Sequence, residues 1–95
     1  MTIMTEENEN LNLKENLRKM LLQLSKRKAA SPSQLSFILG INPSESISLT
    51  RHLVTKGLVD GPTSISGDVL WNKYYSLSLK GLQLTQSIEE EEEFL

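Results

Sequence analysis

Residues 31–59 read SPSQLSFILGINPSESISLTRHLVTKGLV. Ser31 offers a hydroxyl to the free N–H groups of a helix start, Pro32 suits the first helical position, and Gln34 stands three residues past the cap. That is a capping box with proline at N1. Leu35, Ile38 and Leu39 make an apolar face, and Gly40 is a helix stop. The pattern predicts a short helix over about 32–39. The device then repeats. Asn42 caps, Pro43 takes N1, and Glu45 is the N3 partner. Leu49 and Leu53 mark a buried stripe at i, i+4 with Ser46 and Thr50 beside them, and Lys56-Gly57 close a helix over about 43–56. Only Gly40-Ile41-Asn42 separates the two rods. This is a helix-turn-helix pattern, with Ile41 aimed into the core between the helices.

Upstream, Leu13, Leu17, Met20, Leu21 and Leu24 recur at helical spacing. They predict a helix over about 12–28 that ends in Lys26-Arg27-Lys28, where cations suit the negative end of the helix dipole. Downstream of Gly57, Gly, Pro, Ser and Asp mix with Val, Ile, Trp and Tyr. This composition predicts a hairpin over 58–77. One strand starts near Leu58-Val59, the turn lies at Ser66-Gly67-Asp68, and the return strand runs about 70–77. Gly61-Pro62 weakens the first strand. Tyr74 and Tyr75 alternate, so one faces in and one out. Ser78 then caps a last helix with Leu79, Leu82 and Ile88 facing inward. Leu84, Ile88 and Leu95 lie close to a heptad stripe, which either pairs two C-terminal helices in a homodimer or packs back on the first helix. The expected class is mainly α with a small β-hairpin, in the order H-H-H-β-β-H. The chain divides into a flexible acidic arm over 1–10, one domain over 11–88, and an acidic C-terminal tail over 89–95.

Ninety-five residues, 38% of them apolar, suit one small core. Residues 11–85 hold all ten Lys and Arg against four acids, Glu15, Glu45, Asp60 and Asp68, a balance of +6; the two ends carry −8. A basic body between acidic ends fits a polyanion binder as well as ordinary solvated charge. There is no cysteine, which excludes disulfides and thiolate sites, and a single histidine, His52, does not make a metal site. No Gly-rich phosphate loop or nucleophile–base–acid set can be assembled, so an enzyme is not expected and no cofactor is called for. Neither a membrane span nor a signal-peptide pattern is read, so a cytoplasmic protein is expected.

The run from Ser31 to Val59, followed by YSLSLKGLQL leaving the hairpin, resembles the winged helix-turn-helix family, in particular MarR-like transcription regulators. The resemblance spans about residues 13–88. It implies binding of double-stranded DNA, with the third helix reading the major groove and the hairpin serving as the wing. It buries Ser46, Leu49, Thr50 and Leu53, and leaves Ser44, Glu45, Ile47, Ser48, Arg51, His52 and Thr55 on the outer face. Phosphate contacts would come from the capped helix starts, Ser33 and Gln34 at the second helix, and from Arg51, Lys56 and Lys73. A pair of such domains would read a palindrome.

The chain departs from the family pattern in its charge. The third helix has no basic residue in its first two turns, and between Asp60 and Tyr75 only Lys73 is basic. Few neutralised phosphates imply weak binding with a shallow salt slope. Ile47 could touch a thymine methyl, meet a protein or tuck against the turn. Trp71 either completes the leucine-rich core or seats a partner. His52 either contacts nucleic acid or is a solvated surface residue. The alternative function is accordingly a protein-interaction module on a winged-helix scaffold.

Overall fold

The structure, a computed structural model, describes the backbone of residues 2–93 and the side chains of residues 14–90. Its elements are α1 (Thr2–Lys26), α2 (Pro32–Leu39), α3 (Pro43–Thr55), β1 (Val59–Asp60), β2 (Ser76–Leu77) and α4 (Leu79–Glu93). The order is the expected one. The first helix begins at Thr2, well before the start near residue 12 that apolar periodicity gave. The last helix runs through the whole glutamate run and ends at Glu93. Among the described residues, no helix is long and apolar enough to cross a membrane.

The core gathers Met20, Leu21 and Leu24 from α1, Ala30, Leu35 from α2, Leu49 and Leu53 from α3, and Val59 from β1. Leu17, Leu39, Ile41, Val54, Leu58, Leu77 and Ile88 pack around it, partly buried. Burying each such Leu contributes about 1.5–3 kcal/mol before entropy is counted. Leu13, expected in the same stripe, lies outside the described side chains.

The α2–α3 corner is set by local chemistry. Gln34 N–H donates to Ser31 Oγ at 3.1 Å, and Ser31 N–H donates to Gln34 Oε1 at 3.1 Å, completing the capping box. Gly40 ends α2 in the left-handed region, φ 66° and ψ 33°, where a side chain would be disfavoured. Glu45 N–H donates to Asn42 Oδ1 at 2.8 Å, so Asn42 caps α3. The expected reciprocal bond from Glu45 is not made. Its carboxylate instead accepts from Asn16 Nδ2 at 2.9 Å, which ties the start of α3 to α1. Ser46, Leu49, Thr50 and Leu53 are all buried, as expected. The two polar ones are satisfied: Ser46 Oγ donates to Pro32 O at 2.6 Å, and Thr50 Oγ1 to Ser46 O at 2.8 Å. Small residues with internal partners let α3 cross α2 closely without leaving an unpaired buried group.

The hairpin is antiparallel, pairing Val59 with Leu77 and Asp60 with Ser76. Its regular strands are shorter than expected, since only Ser76–Leu77 of the 70–77 stretch is strand. Pro62 cannot donate to a ladder, and the Tyr75 ring occupies the space where a side chain at residue 61 would sit. Tyr75 is fully buried and Tyr74 is 59% exposed, so the pair splits as alternation requires. Tyr75 holds three segments together. Its backbone exchanges hydrogen bonds with Ala30 at 2.9 and 3.0 Å. Its hydroxyl accepts from Leu70 N–H at 2.7 Å and donates to Pro62 O at 2.5 Å.

α4 docks through its first turn. Ser78 Oγ accepts from Gly81 N–H at 3.1 Å and donates to Gly57 O at 2.6 Å. Ser78 N–H donates to Leu58 O at 3.0 Å, and Lys80 Nζ to Lys56 O at 3.1 Å. The inward face of α4 differs from the expected one. Leu79 is 74% and Leu82 43% exposed, whereas Gly81 and Thr85 are buried and Ile88 is half-buried against the core. Gly81 decides this rotation, because its bare Cα presses on the Leu58 carbonyl. Thr85 Oγ1 donates to Gly81 O, which satisfies the buried hydroxyl. Of the proposed heptad stripe, Leu84 is exposed, Ile88 packs back on the core, and Leu95 lies outside the described residues.

Candidate nucleic-acid interface

The burial of Ser46, Leu49, Thr50 and Leu53 fixes which side of α3 faces outward. Ser44, Ser48, Arg51, His52 and Thr55 are exposed there, and Ile47 is half-buried at the edge. Ser48, Arg51, His52 and Thr55 line a shallow hollow of about 290 Å³. Every polar residue on this face is small or long-armed, and none is committed to the core. Ser44 is exposed in the first turn of α3. Glu45 is half-buried and held by Asn16, so it serves the α1–α3 contact.

The wing stands beside this face. Its tip is the turn Ser64–Asp68, closed by Ser64 N–H to Asp68 O at 2.8 Å and Gly67 N–H to Ser64 O at 2.9 Å. Asp68 N–H also donates to Ser64 Oγ at 3.1 Å. Asp68 Oδ1 accepts an ion pair from the Arg51 guanidinium at 3.1 Å, which spans from the wing tip to the middle of α3. Ile65 projects fully into solvent at the tip.

The start of α2 is less available than expected. Ser33 N–H donates to Trp71 O at 3.1 Å, Gln34 N–H to Ser31 Oγ, and Leu35 N–H to Ser31 O at 3.0 Å. Pro32 has no N–H, so the first-turn donors of α2 are occupied within the protein. Ser33 is left with its hydroxyl, and Gln34 with its amide nitrogen. Lys56 is exposed at the end of α3, and Lys73 is exposed on the returning limb of the wing, away from the α3 hollow in sequence and element. Trp71 is half-buried, and its carbonyl joins the wing to α2.

Of the seven residues expected on the outer face, Ser44, Ser48, Arg51, His52 and Thr55 are exposed together, whereas Glu45 and Ile47 are half-buried. Sequence reasoning missed Asp68 as a member, having read it as a turn residue. Charge opposite to Arg51 was visible in the sequence, but the distance between them was not. Among the described residues, no three His, Asp or Glu side chains converge to hold a metal ion.

No protein-family model and no curated protein matches the chain. Solved structures do match. A ZitR variant of Lactococcus lactis in apo form has a TM-score of 0.69 at 16% identity, covering 97% of this chain and 67% of that one. The adhesin competence repressor AdcR of Streptococcus pyogenes gives 0.66 at 13% identity, covering 98% and 75%. A MarR family transcription regulator, SP03579, gives 0.68 at 21% identity, covering 81% and 50%. The chain therefore spans between half and three-quarters of the length of these structures. Its fold, three helices, a two-stranded antiparallel hairpin and a closing helix, is the MarR-like winged helix.

Proposed function

We propose that this chain is a DNA-binding transcription regulator, with α3 in the major groove and residues 58–77 as the wing. The observation that carries the reading is the exposed polar face Ser44, Ser48, Arg51, His52 and Thr55, flanked by a wing pinned to it through Arg51 and Asp68. The fold is shared with solved proteins named as a repressor and as a transcription regulator, which supports it. Arg51 and His52 are the groove-facing pair. Lys56, Lys73, the Ser33 hydroxyl and the Gln34 amide serve phosphates, and Ile47 adds apolar contact at the edge. The chain acts by binding, without chemistry of its own, in the cytoplasm where such a target lies.

Titration into labelled duplex at low and moderate salt tests this. Arg51→Ala with His52→Ala should weaken binding by about 1–3 kcal/mol if Arg51 reads a base. Combined substitution of Lys26, Arg27 and Lys28 should matter less. Dominance of that triple change would replace groove reading by diffuse charge attraction. Absence of binding at low salt would remove the proposal.

A second reading, a protein-interaction module, draws on the bare Ile65 at the wing tip and on Tyr74, 59% exposed. It gains if duplex binding is absent while Ile65→Asp releases a partner. We also propose that two copies pair through α4, where Leu79, Leu82 and Leu84 are exposed. Sedimentation of a pure monomer at tens of micromolar protein would exclude that pairing.

A further inference from the structure

Arg51 is the sole Lys or Arg within α3. On a DNA-reading face, a lone cation would be expected to stand free for a phosphate or a guanine edge. Here it does not. Its guanidinium lies 3.1 Å from Asp68 Oδ1, a carboxylate brought from seventeen positions further along the chain. Asp68 is not a wandering side chain. Its backbone closes the wing-tip turn in both directions with Ser64. Gly67 before it takes a φ of 86°. Ser66 Oγ donates to its other carboxylate oxygen at 3.4 Å. The turn therefore presents the carboxylate at a fixed place over α3.

The pair does little for stability. Arg51 and Asp68 side chains are 52% and 57% exposed, and ion pairs at that exposure are screened by water and salt. Its consequence falls on the surface charge instead. With Arg51 paired, α3 itself keeps no unpaired cation, and Glu45 is turned into the α1 contact, so the positive charge left at this face is that of Lys56 at the end of α3 and Lys73 on the wing. Non-specific attraction to duplex is almost wholly electrostatic and scales with the cations that meet phosphates, so taking Arg51 out of that set weakens binding to arbitrary sequence.

Resting on the DNA-binding reading above, we propose that Asp68 is a selectivity-determining residue: it occupies Arg51 and suppresses charge-driven binding to non-cognate DNA. A phosphate that engages Arg51 competes with the Asp68 carboxylate for the guanidinium and meets its repulsion. Only a site offering further contacts to α3 compensates.

The probe is a labelled duplex of mixed sequence, titrated with the full chain and with Asp68→Asn between about 50 and about 200 mM salt. Asn keeps the shape and the turn while removing the charge. Asp68→Asn should bind more tightly at the low-salt end. Its advantage should shrink about 3.5-fold across that range, the change expected for one additional phosphate neutralised at a slope of 0.9. Adding Arg51→Ala to Asp68→Asn should abolish the advantage, and thermal melting should show both variants folded. Equal or weaker binding by Asp68→Asn, or an advantage that survives Arg51→Ala, would overturn the inference while leaving DNA binding intact. Failure of both the parent chain and Asp68→Asn to bind at low salt would overturn the DNA-binding reading and this inference together.

Discussion

Replacing Gly81 by Ala sets two physical rules against each other. Gly81 is the third residue of α4, and helix propensity favours Ala over Gly by up to about 1 kcal/mol. The packing points the other way. A methyl at residue 81 would fall deep inside contact distance of the Leu58 carbonyl oxygen, 3.0 Å from its carbon and 3.2 Å from Leu77 Cδ2. The obstacle is backbone, and the same carbonyl already accepts Ser78 N–H at 3.0 Å. If α4 lifts away to make room, it loses that bond and strains the one from Ser78 Oγ to Gly57 O. At about 1 kcal/mol for each bond, the loss is about 2 kcal/mol. If α4 stays, overpacking costs about 1–3 kcal/mol. Against a propensity gain of at most about 1, the balance is a destabilisation of about 1–2 kcal/mol. For a domain of this size, that lowers the melting temperature by roughly 5–15 °C. Thermal unfolding followed by circular dichroism reads the shift, with Gln83→Ala, exposed on the same helix, as the control that should barely move. A Gly81→Ala melting temperature at or above the parent's would refute the reasoning, since propensity would then have won and the close approach could not exist in solution.

Two further substitutions test the other joints. Tyr75→Phe keeps the buried ring but strands Leu70 N–H and Pro62 O, so it should destabilise by about 1–3 kcal/mol; hydrogen exchange should accelerate at the Leu70 amide, and unchanged protection there would show that the hydroxyl does not tie the wing. Asn42→Ala removes the cap of α3 and should cost about 0.5–2 kcal/mol, whereas Asn42→Asp should retain most of it; urea unfolding of the three proteins separates them, and identical midpoints would mean that the cap is not formed.

The helix-turn-helix was legible because its signals are local. Ser31 with Gln34, Asn42 with the Glu45 amide, and Gly40 in the left-handed region each act over three or four residues, within reach of sequence spacing. Leu49 and Leu53 marked the buried stripe of α3 by their spacing, while the burial of Ser46 and Thr50 and the outward set were what the winged-helix resemblance implied. The face of α4 was not legible. Leucine count pointed to Leu79 and Leu82, but the helix turned its smallest residue, Gly81, toward the chain, because close backbone approach at Leu58 let Ser78 and Lys80 close the end of α3. Glu45 shows the same limit. Its spacing from Asn42 fits a capping box, yet a partner twenty-nine residues away, Asn16, claimed the carboxylate.

The amino-acid order alone determined where the rods start and stop and which side of α3 is buried, since caps, glycine stops and apolar period are short-range effects fixed by neighbours along the chain. The tertiary structure decided which face α4 shows to the core and that Arg51 meets Asp68. Both depend on the distance between segments remote in sequence, and that distance exists only once the core has closed.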